Sequence, residues 1–491
     1  MYLQLVGTNN TTSAIVNKNI YWYTCGPTVY DYSHIGHART YVTDDILRKV
    51  LKYMGYNVFS VMNITDIDDK IIKKARELDI DFKEVSRRYT ELFFNDMDKL
   101  GVYHHDIITF VSDYVNDIIE FVKNIVNNKF GYESNGSVYL DMNRYYSEGN
   151  KDYLFDAITH SASIKSHMDE YLLKEKKDMK DFAIWKASKP NEPYWPSPFG
   201  DGRPAWHIEC SVMIDDTLKI FKKSVMTESY SVIHTGGEDL IFPHHENEIK
   251  QFVAATGENP INTFLHYGRL NINGEKMSKS EKNYVSIKDV LVNYDPQVIR
   301  MLFVMRNWDE RIEYNEGSMD HARALYDKID NFVKHMSALL KTPLEHKLSE
   351  NDKDIIIIIE CAAKKYDEML NNSLNISKAF ETVVSIVNTG NNYINGASIN
   401  RYVVRRLCEF VKFRLNVFGI SLDINKNSMH DHTDYIHTIV KIRDDIRTIG
   451  KSKIINKNDI FNLTDSIRDA APDLGFVIED KGSAPSIWYY N

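Results

Sequence analysis

The chain has 491 residues, 43% of them hydrophobic and 12% aromatic, enough for several buried cores and long for one domain; about three domains are expected. No run approaches the roughly 18 apolar residues of a membrane span, and no basic-then-apolar leader opens the chain, so a cytoplasmic protein without a membrane segment is expected. The net charge of −9, from 60 Lys+Arg against 69 Asp+Glu, gives no global pull toward nucleic acid, so any RNA contact has to rest on local patches. Four cysteines are too few for a disulfide framework and stand as thiols or ligands.

Asn19 to Tyr23 is aromatic and β-branched and predicts a buried strand. Thr24 to His37, T-C-G-P-T-V-Y-D-Y-S-H-I-G-H, predicts a loop, and residues 38–54 a helix, with Val42, Ile46, Val50 and Met54 apolar and Gly55 beyond its end. Strand, loop and helix in that order are where open α/β sheets place their chemistry. Asn57 to Met62 predicts a second strand, followed by an acidic loop from Asn63 to Lys70. Its Asp66, Asp68 and Asp69 suit helix capping better than calcium, since the central glycine and distal glutamate of a calcium loop are missing.

Residues 82–131 carry a helical pattern, and Tyr132 to Leu140 a hairpin around Asn135-Gly136. Residues 141–180 turn polar, with a Lys174-Glu175-Lys176-Lys177 cluster, and are expected to form a mobile part of an insertion. Order returns at Phe182, and a Pro-rich loop from Pro190 to Pro204 leads to Ala205-Trp206-His207-Ile208-Glu209-Cys210. A strand is predicted at Ser231 to Thr235, then Gly236 to Phe242, then a helix opened by Pro243 with Ile249, Phe252 and Val253 on its buried face. Past His266 comes Lys276-Met277-Ser278-Lys279-Ser280. From about residue 295 apolar positions recur at helical spacing, and the five-isoleucine run Ile355 to Ile359 is expected as a buried helical segment. Residues 425–434 resemble a solvated linker despite His430 and His432, and 435–491 a small appended unit.

Cys25, Cys210, His244 and Glu248 are candidates for one metal site. His244 and Glu248, four apart on a helix, share a face. Two thiolates, an imidazole and a carboxylate suit zinc and argue against magnesium or calcium. The two cysteines are far apart in sequence, so a second reading stands beside this one: buried small side chains with no metal. Four protein ligands are also usual for structural zinc, so a catalytic ion has to expand its coordination or loosen one ligand, Glu248 being the candidate. His34 and His37 flank Gly36 at a helix start, where free backbone N–H groups favour phosphate. Lys276 and Lys279 sit in a loop able to swing onto a triphosphate.

His34-Ile35-Gly36-His37 and the Lys276 to Ser280 motif resemble the two signatures of the class I aminoacyl-tRNA synthetases. Cys25-Gly-Pro-Thr-Val-Tyr-Asp31, Asn63-Ile-Thr-Asp-Ile-Asp-Asp-Lys70, Trp206-His-Ile-Glu-Cys210 and Phe242-Pro-His-His-Glu-Asn-Glu248 narrow the resemblance to the cysteinyl-tRNA synthetases, and the tail (Ile442 to Arg447, Leu474 to Asp480) to their eukaryotic cytosolic type. The resemblance implies an α/β fold: a Rossmann-like doubly wound parallel-sheet catalytic domain with an insertion, followed by an α-helical anticodon-binding region. It implies catalytic halves at 1–88 and 189–294, the insertion at 89–188, a helical bundle at 295–424, and a linker and small unit at 425–491.

It further implies one Zn²⁺ held by Cys25, Cys210, His244 and Glu248 that captures the substrate thiolate. ATP, carried with Mg²⁺, would be served by His34, Gly36, His37, Lys70, Gly237, Asp239, Lys276 and Lys279. Gly26, Thr65 and Trp206 would be pocket contacts, and tRNA(Cys) and L-cysteine the partners; oligomeric state stays open. A substitution at Gly26 or Gly36 is expected to hurt activation more than folding. The chain departs from the family at Ala205, Thr235 and Glu281. Two other readings remain: a ligase of the same fold passing cysteine to a small amine, and a non-catalytic RNA-binding relative.

Overall fold

The computed structural model describes residues 3–6, 12–15, 17–154, 175–225, 229–272, 274–276, 284–396, 398–422, 439–444, 446–447, 457–472, 476–481 and 484–490. Lys279, half of the expected mobile insertion segment (155–174 of 141–180) and the 425–434 linker lie outside them. Contacts divide the chain into two units, Met1–Ser318 with Leu370–Ile376, and Met319–Met369 with Ser377–Asn491.

The first unit opens with an antiparallel pair, β1 (Leu3–Val6) and β2 (Thr12–Ile15). Next in the chain are β3 (Asn19–Thr24), α1 (Ile35–Tyr53), β4 (Asn57–Ile64), α2 (Asp69–Leu78), α3 (Phe82–Lys99), β5 (Ile107–Phe110) and α4 (Val115–Asn127). An antiparallel sheet of β6 (Gly131–Ser134), β7 (Ser137–Leu140), β8 (Phe182–Ala187) and β9 (Gly202–Pro204) comes after them, with α5 (Met142–Ser147) between β7 and β8. The central sheet resumes with α6 (Ile208–Val225), β10 (Ser231–Gly237), α7 (Glu246–Thr256) and β11 (Thr263–Tyr267). β12 (Leu270–Ile272), β13 (Glu275–Lys276), α8 (Ile287–Asn293), α9 (Pro296–Val304) and β14 (Ile312–Tyr314) complete the unit.

The central sheet has the order β11-β10-β3-β4-β5 and every pairing is parallel. Its strand order reverses between β3 and β10, which places a crevice at their carboxyl ends. β3 is buried from Ile20 onward because both its faces are covered. Trp22 bonds to Asp44 on α1 on one side, and Tyr21 to Thr217 on α6 on the other.

Three local expectations need correcting. Residues 82–131 hold a strand, β5, as well as helices; four residues without alternation carry no strand signal, and it is pairing with β4 that makes them one. Helix α1 begins at Ile35, not Ala38, because His34 caps it through its imidazole, a residue outside the usual capping set. The five isoleucines are helical but amphipathic: Ile355 and Ile359 are buried, while Ile357 is 56% and Ile358 43% exposed. The Asn135-Gly136 turn is as expected, with both residues at positive φ, 49° and 78°.

The second unit takes in most of α10 (Glu316–Leu339) with α11 (Glu350–Asn371), α12 (Ile376–Ile394) and α13 (Arg401–Val417). A Cβ on Gly390 of α12 would lie 2.5 Å from the Phe332 ring of α10, so these helices approach as closely as glycine allows. α14 (Lys457–Ala470) and an antiparallel pair, β15 (Phe476–Lys481) and β16 (Ala484–Tyr490), end the chain.

Candidate active site

The crevice at the β3/β10 switch point opens into a cavity of about 390 Å³. Its walls include Cys25, Gly26, His34, Gly36, His37, Thr65, Lys70, Trp206, Cys210, Gly237, Asp239 and His244, so residues drawn from distant parts of the chain meet in one space. Glu248 stands one turn behind His244 and is fully buried. Lys276 ends β13, paired through its backbone with Asn271. Beyond the lysine loop, the Tyr284 hydroxyl donates to Tyr32 O at 2.5 Å, and Ile35 N donates to Val285 O at 3.0 Å. Both ends of the lysine loop are therefore fastened near the cavity, although Met277 to Asn283 lie outside the described residues.

At the start of α1 the two histidines cap each other. His34 Nδ1 accepts from His37 N at 3.2 Å and His37 Nδ1 accepts from His34 N at 3.3 Å, with the rings stacked 3.7 Å apart. Burial lowers His34 to about 4 and pushes His37 well below its ordinary value. Both imidazoles are then neutral near pH 7 with Nδ1 used as an acceptor, which leaves the proton on Nε2 as a donor.

Gly26 is a glycine for steric reasons, whereas the close contact at Gly237 is with the free end of a side chain that can move. A Cβ on Gly26 would lie 1.5 Å from Asn63 O, and one on Gly237 2.5 Å from Asp239 Oδ1. The Gly26 amide donates to Asn63 Oδ1 at 2.8 Å, and Asn63 Nδ2 to Thr65 Oγ1 at 3.2 Å, so these groups brace the loop after β3. The Gly26 collision is with backbone, so substitution there strikes folding as well as activation.

At the deep end, Cys25 Sγ lies 3.9 Å from Cys210 Sγ, and His244 Nε2 lies 3.0 Å from Glu248 Oε1. One donor atom from each of these four buried residues falls within 4.8 Å of the others. Glu248 Oε1 is buried and makes no hydrogen bond of acceptable geometry despite its closeness to His244. A buried carboxylate oxygen left without a donor beside two sulfurs and an imidazole fits a cation. Burial pushes the Cys25 thiol up, while Cys210, accepting from Cys25, is pulled down to about 6. Burial disfavours charge on His244, yet Glu248 and Cys210 outweigh it and raise its pKa.

Sequence reasoning missed the histidines around this cluster. Cys25, His234, His245 and Glu248 form a second, overlapping donor set. His234 Nε2 lies 3.0 Å from Glu248 Oε2, His207 Nδ1 2.8 Å from His244 Nδ1, and His245 Nδ1 2.6 Å from His266 Nε2. Cys25, Cys210 and His244 line the cavity, whereas of the second set only Cys25 does. A ligand in the cavity therefore reaches the first set, and His207 and His234 orient His244 and Glu248 from behind. The tandem His244-His245 was the signal available in the sequence.

Residues 11–324 match the tRNA synthetase class I (C) catalytic domain. The fold resembles that of a Mycobacterium tuberculosis methionyl-tRNA synthetase in complex with methionyl-adenylate, with a TM-score of 0.61, 14% identity, and 82% and 90% of the two chains covered. Parallel sheet, switch-point cavity and domain match together define a class I aminoacyl-tRNA synthetase. The chain is 36% identical to a cysteine–tRNA ligase of Methanococcus vannielii, over 99% of this chain and 98% of the relative. It is 35% identical to a cytoplasmic cysteine–tRNA ligase of Dictyostelium discoideum, over 96% and 74%. The chain belongs to the cysteine–tRNA ligase family.

Proposed function

We propose that the chain activates L-cysteine with ATP and transfers it to the 3′ end of tRNA(Cys), with Cys25, Cys210, His244 and Glu248 holding a zinc ion. The observation that carries this is the opening of Cys25, Cys210 and His244 into the same cavity as His34, His37, Gly237 and Asp239. An amino acid held by its side chain at the deep end would present its carboxylate to a nucleotide lying across the start of α1. Zinc, when bound, supplies a Lewis acid that lowers the pKa of a coordinated thiol, which serine's hydroxyl matches poorly.

In this reading His34 and His37 donate Nε2–H to phosphate oxygens and stabilise charge developing there without titrating. The amide N–H of Gly26 is spent on Asn63, so Gly26 and Thr65 contribute shape. Trp206 stands over the deep end, its ring 5.1 Å from that of His244, and closes the amino-acid side. Lys70, at the N-terminal end of α2, and Lys276 and Lys279 bring positive charge toward the triphosphate, which Mg²⁺ would accompany. The insertion (89–188) and the helical region (295–424) are proposed to bind the acceptor end and the anticodon part of tRNA. Among the described residues no helix is long and apolar enough to cross a membrane; a cytoplasmic location is proposed by analogy with the Dictyostelium relative.

Metal content and ATP–pyrophosphate exchange measured on one sample test the proposal. It expects about one zinc per chain and exchange that depends on cysteine and not on serine. Equal exchange with serine, or selectivity that survives Cys210→Ser, refutes the zinc role. Failure to charge total tRNA in a preparation active in exchange redirects the product to a small amine.

A further inference from the structure

Asp44 of α1 is fully buried and lies directly behind the cavity, yet it does not line it. Its two oxygens face different surroundings. Oδ2 meets Arg48 Nε at 2.7 Å and His105 Nε2 at 3.1 Å. Oδ1 meets the strand ends: it accepts from Trp22 Nε1 at 2.8 Å, Thr24 Oγ1 at 2.7 Å and Tyr267 OH at 2.9 Å. Thr235 Oγ1 donates to Thr24 Oγ1 at 3.0 Å and stands 3.4 Å from the same oxygen. One carboxylate thus gathers residues at the ends of β3, β10 and β11, three neighbouring strands of the sheet.

Each of those strand ends runs straight into the site. Thr24 precedes Cys25, whose amide donates to Thr235 O at 3.0 Å. Thr235 precedes Gly236 and Gly237, which lead to Asp239, and Tyr267 lines the cavity. The amino-acid end and the nucleotide end of the cavity therefore emerge from strands that share one buried oxygen. Burial alone would raise the Asp44 carboxyl, but Arg48 and His105 hold it well below the usual carboxylate range, so the oxygen is a full anion to its donors. Thr235, one of the departures from the family pattern, supplies a hydroxyl to this network.

We propose that Asp44 is a positioning residue that sets the spacing between the metal-bearing end of β3 and the nucleotide-bearing end of β10, acting through Thr24 and Thr235. The inference rests on the activation reaction proposed above. It makes a specific kinetic demand. Asp44 touches neither substrate, so its loss leaves each bound in its own half of the cavity and disturbs their relation to one another. Misplacement of about 1 Å between reacting groups costs up to about 100-fold in rate. A defect in relative placement appears in kcat, and a loss of uniform binding in KM.

The experiment measures cysteine-dependent ATP–pyrophosphate exchange on zinc-replete full-length protein, with kcat normalised by active-site titration of the cysteinyl-adenylate burst. The variants are Asp44→Asn, Thr235→Val and Thr235→Ser. The expected result is a kcat lowered by about 10-fold to about 100-fold in Asp44→Asn, with KM for cysteine and for ATP changed less than about 3-fold. Thr235→Val, which keeps shape and removes the hydroxyl, lowers kcat in the same direction, and Thr235→Ser restores it. If Asp44→Asn does not fold, the Thr235 pair decides, because neither change leaves Arg48 unpaired. A merely structural role lowers yield and thermal stability but leaves kcat per titrated site at the wild-type value, and that result overturns the inference. So does a rise in KM alone, or equal kcat in Thr235→Val and Thr235→Ser. Wild-type protein inactive with cysteine refutes the reaction itself, which is a separate outcome.

Discussion

Replacing Arg39 by methionine should loosen the platform that carries Lys276. Arg39 lies on α1, almost wholly buried, and its guanidinium donates to Gly268 O at 3.2 Å, Asn307 O at 2.9 Å, Trp308 O and Glu310 O at 3.0 Å, and Thr43 Oγ1 at 3.0 Å. The carbonyls flank the starts of β12 and β14, whose pairing supports β13. Those of Trp308 and Asn307 also accept from Gly268 N and Glu310 N, so the substitution strands chiefly Gly268 O and Glu310 O. Gly268 O is a buried acceptor left unpaired, at about 1–3 kcal/mol, whereas Glu310 is exposed and its carbonyl can turn to water, so the loss is about 1–3 kcal/mol. For a unit the size of the first, that lowers Tm by about 1–4 °C. Arg39→Lys recovers part of this, since an ammonium cannot reproduce the planar fork. Thermal unfolding and pyrophosphate exchange check it together. Unchanged Tm and unchanged exchange in Arg39→Met would refute the reasoning.

Gly26→Ala places a methyl against Asn63 O, so both Tm and exchange fall; a variant with native stability and lost exchange would show instead that the loop yields without cost. His34 is neutral well below pH 7, so exchange between about pH 6 and about pH 8 carries no ionisation of His34; an apparent pKa near 6.5 that vanishes in His34→Asn contradicts the burial argument. In the second unit, Asp480 accepts from Arg443, Arg447 and Arg468; burial would raise its carboxyl, but Arg443, Ser486 and Arg447 outweigh it and lower its pKa from 3.8 to about 2. A depressed carboxyl pKa stabilises fully above the unfolded value and is lost as pH falls from about 4 toward about 2. Hydrogen exchange at the β15–β16 amides should accelerate in that window, and Asp480→Asn should remove the dependence. Chelation should abolish cysteine-dependent exchange and zinc restore it; persistence after verified metal removal counts against the proposed ligands.

The sequence alone determined the features that depend on near neighbours. The aromatic run of β3, the Asn135-Gly136 turn and the pairing of His244 with Glu248 come from periods and turn chemistry that a few residues suffice to express. The candidate metal donors and the α1 histidines were legible because each is chemically distinctive and sits at or near a strand or helix end. Only the tertiary structure decided which charges are buried. Asp44 and Arg39 look on paper like the polar positions of an amphipathic helix, yet both are almost fully enclosed. The acceptors of Arg39 on β12 and β14 and their approaches lie 229 to 271 positions away, and Tyr267, which donates to Asp44, lies 223 away. The histidines behind the candidate donors were hidden for the same reason, since an imidazole gains its meaning from a partner that only the closed sheet brings to it. β5 shows the converse case, four mostly apolar residues whose conformation is set by pairing with β4 and not by their own pattern.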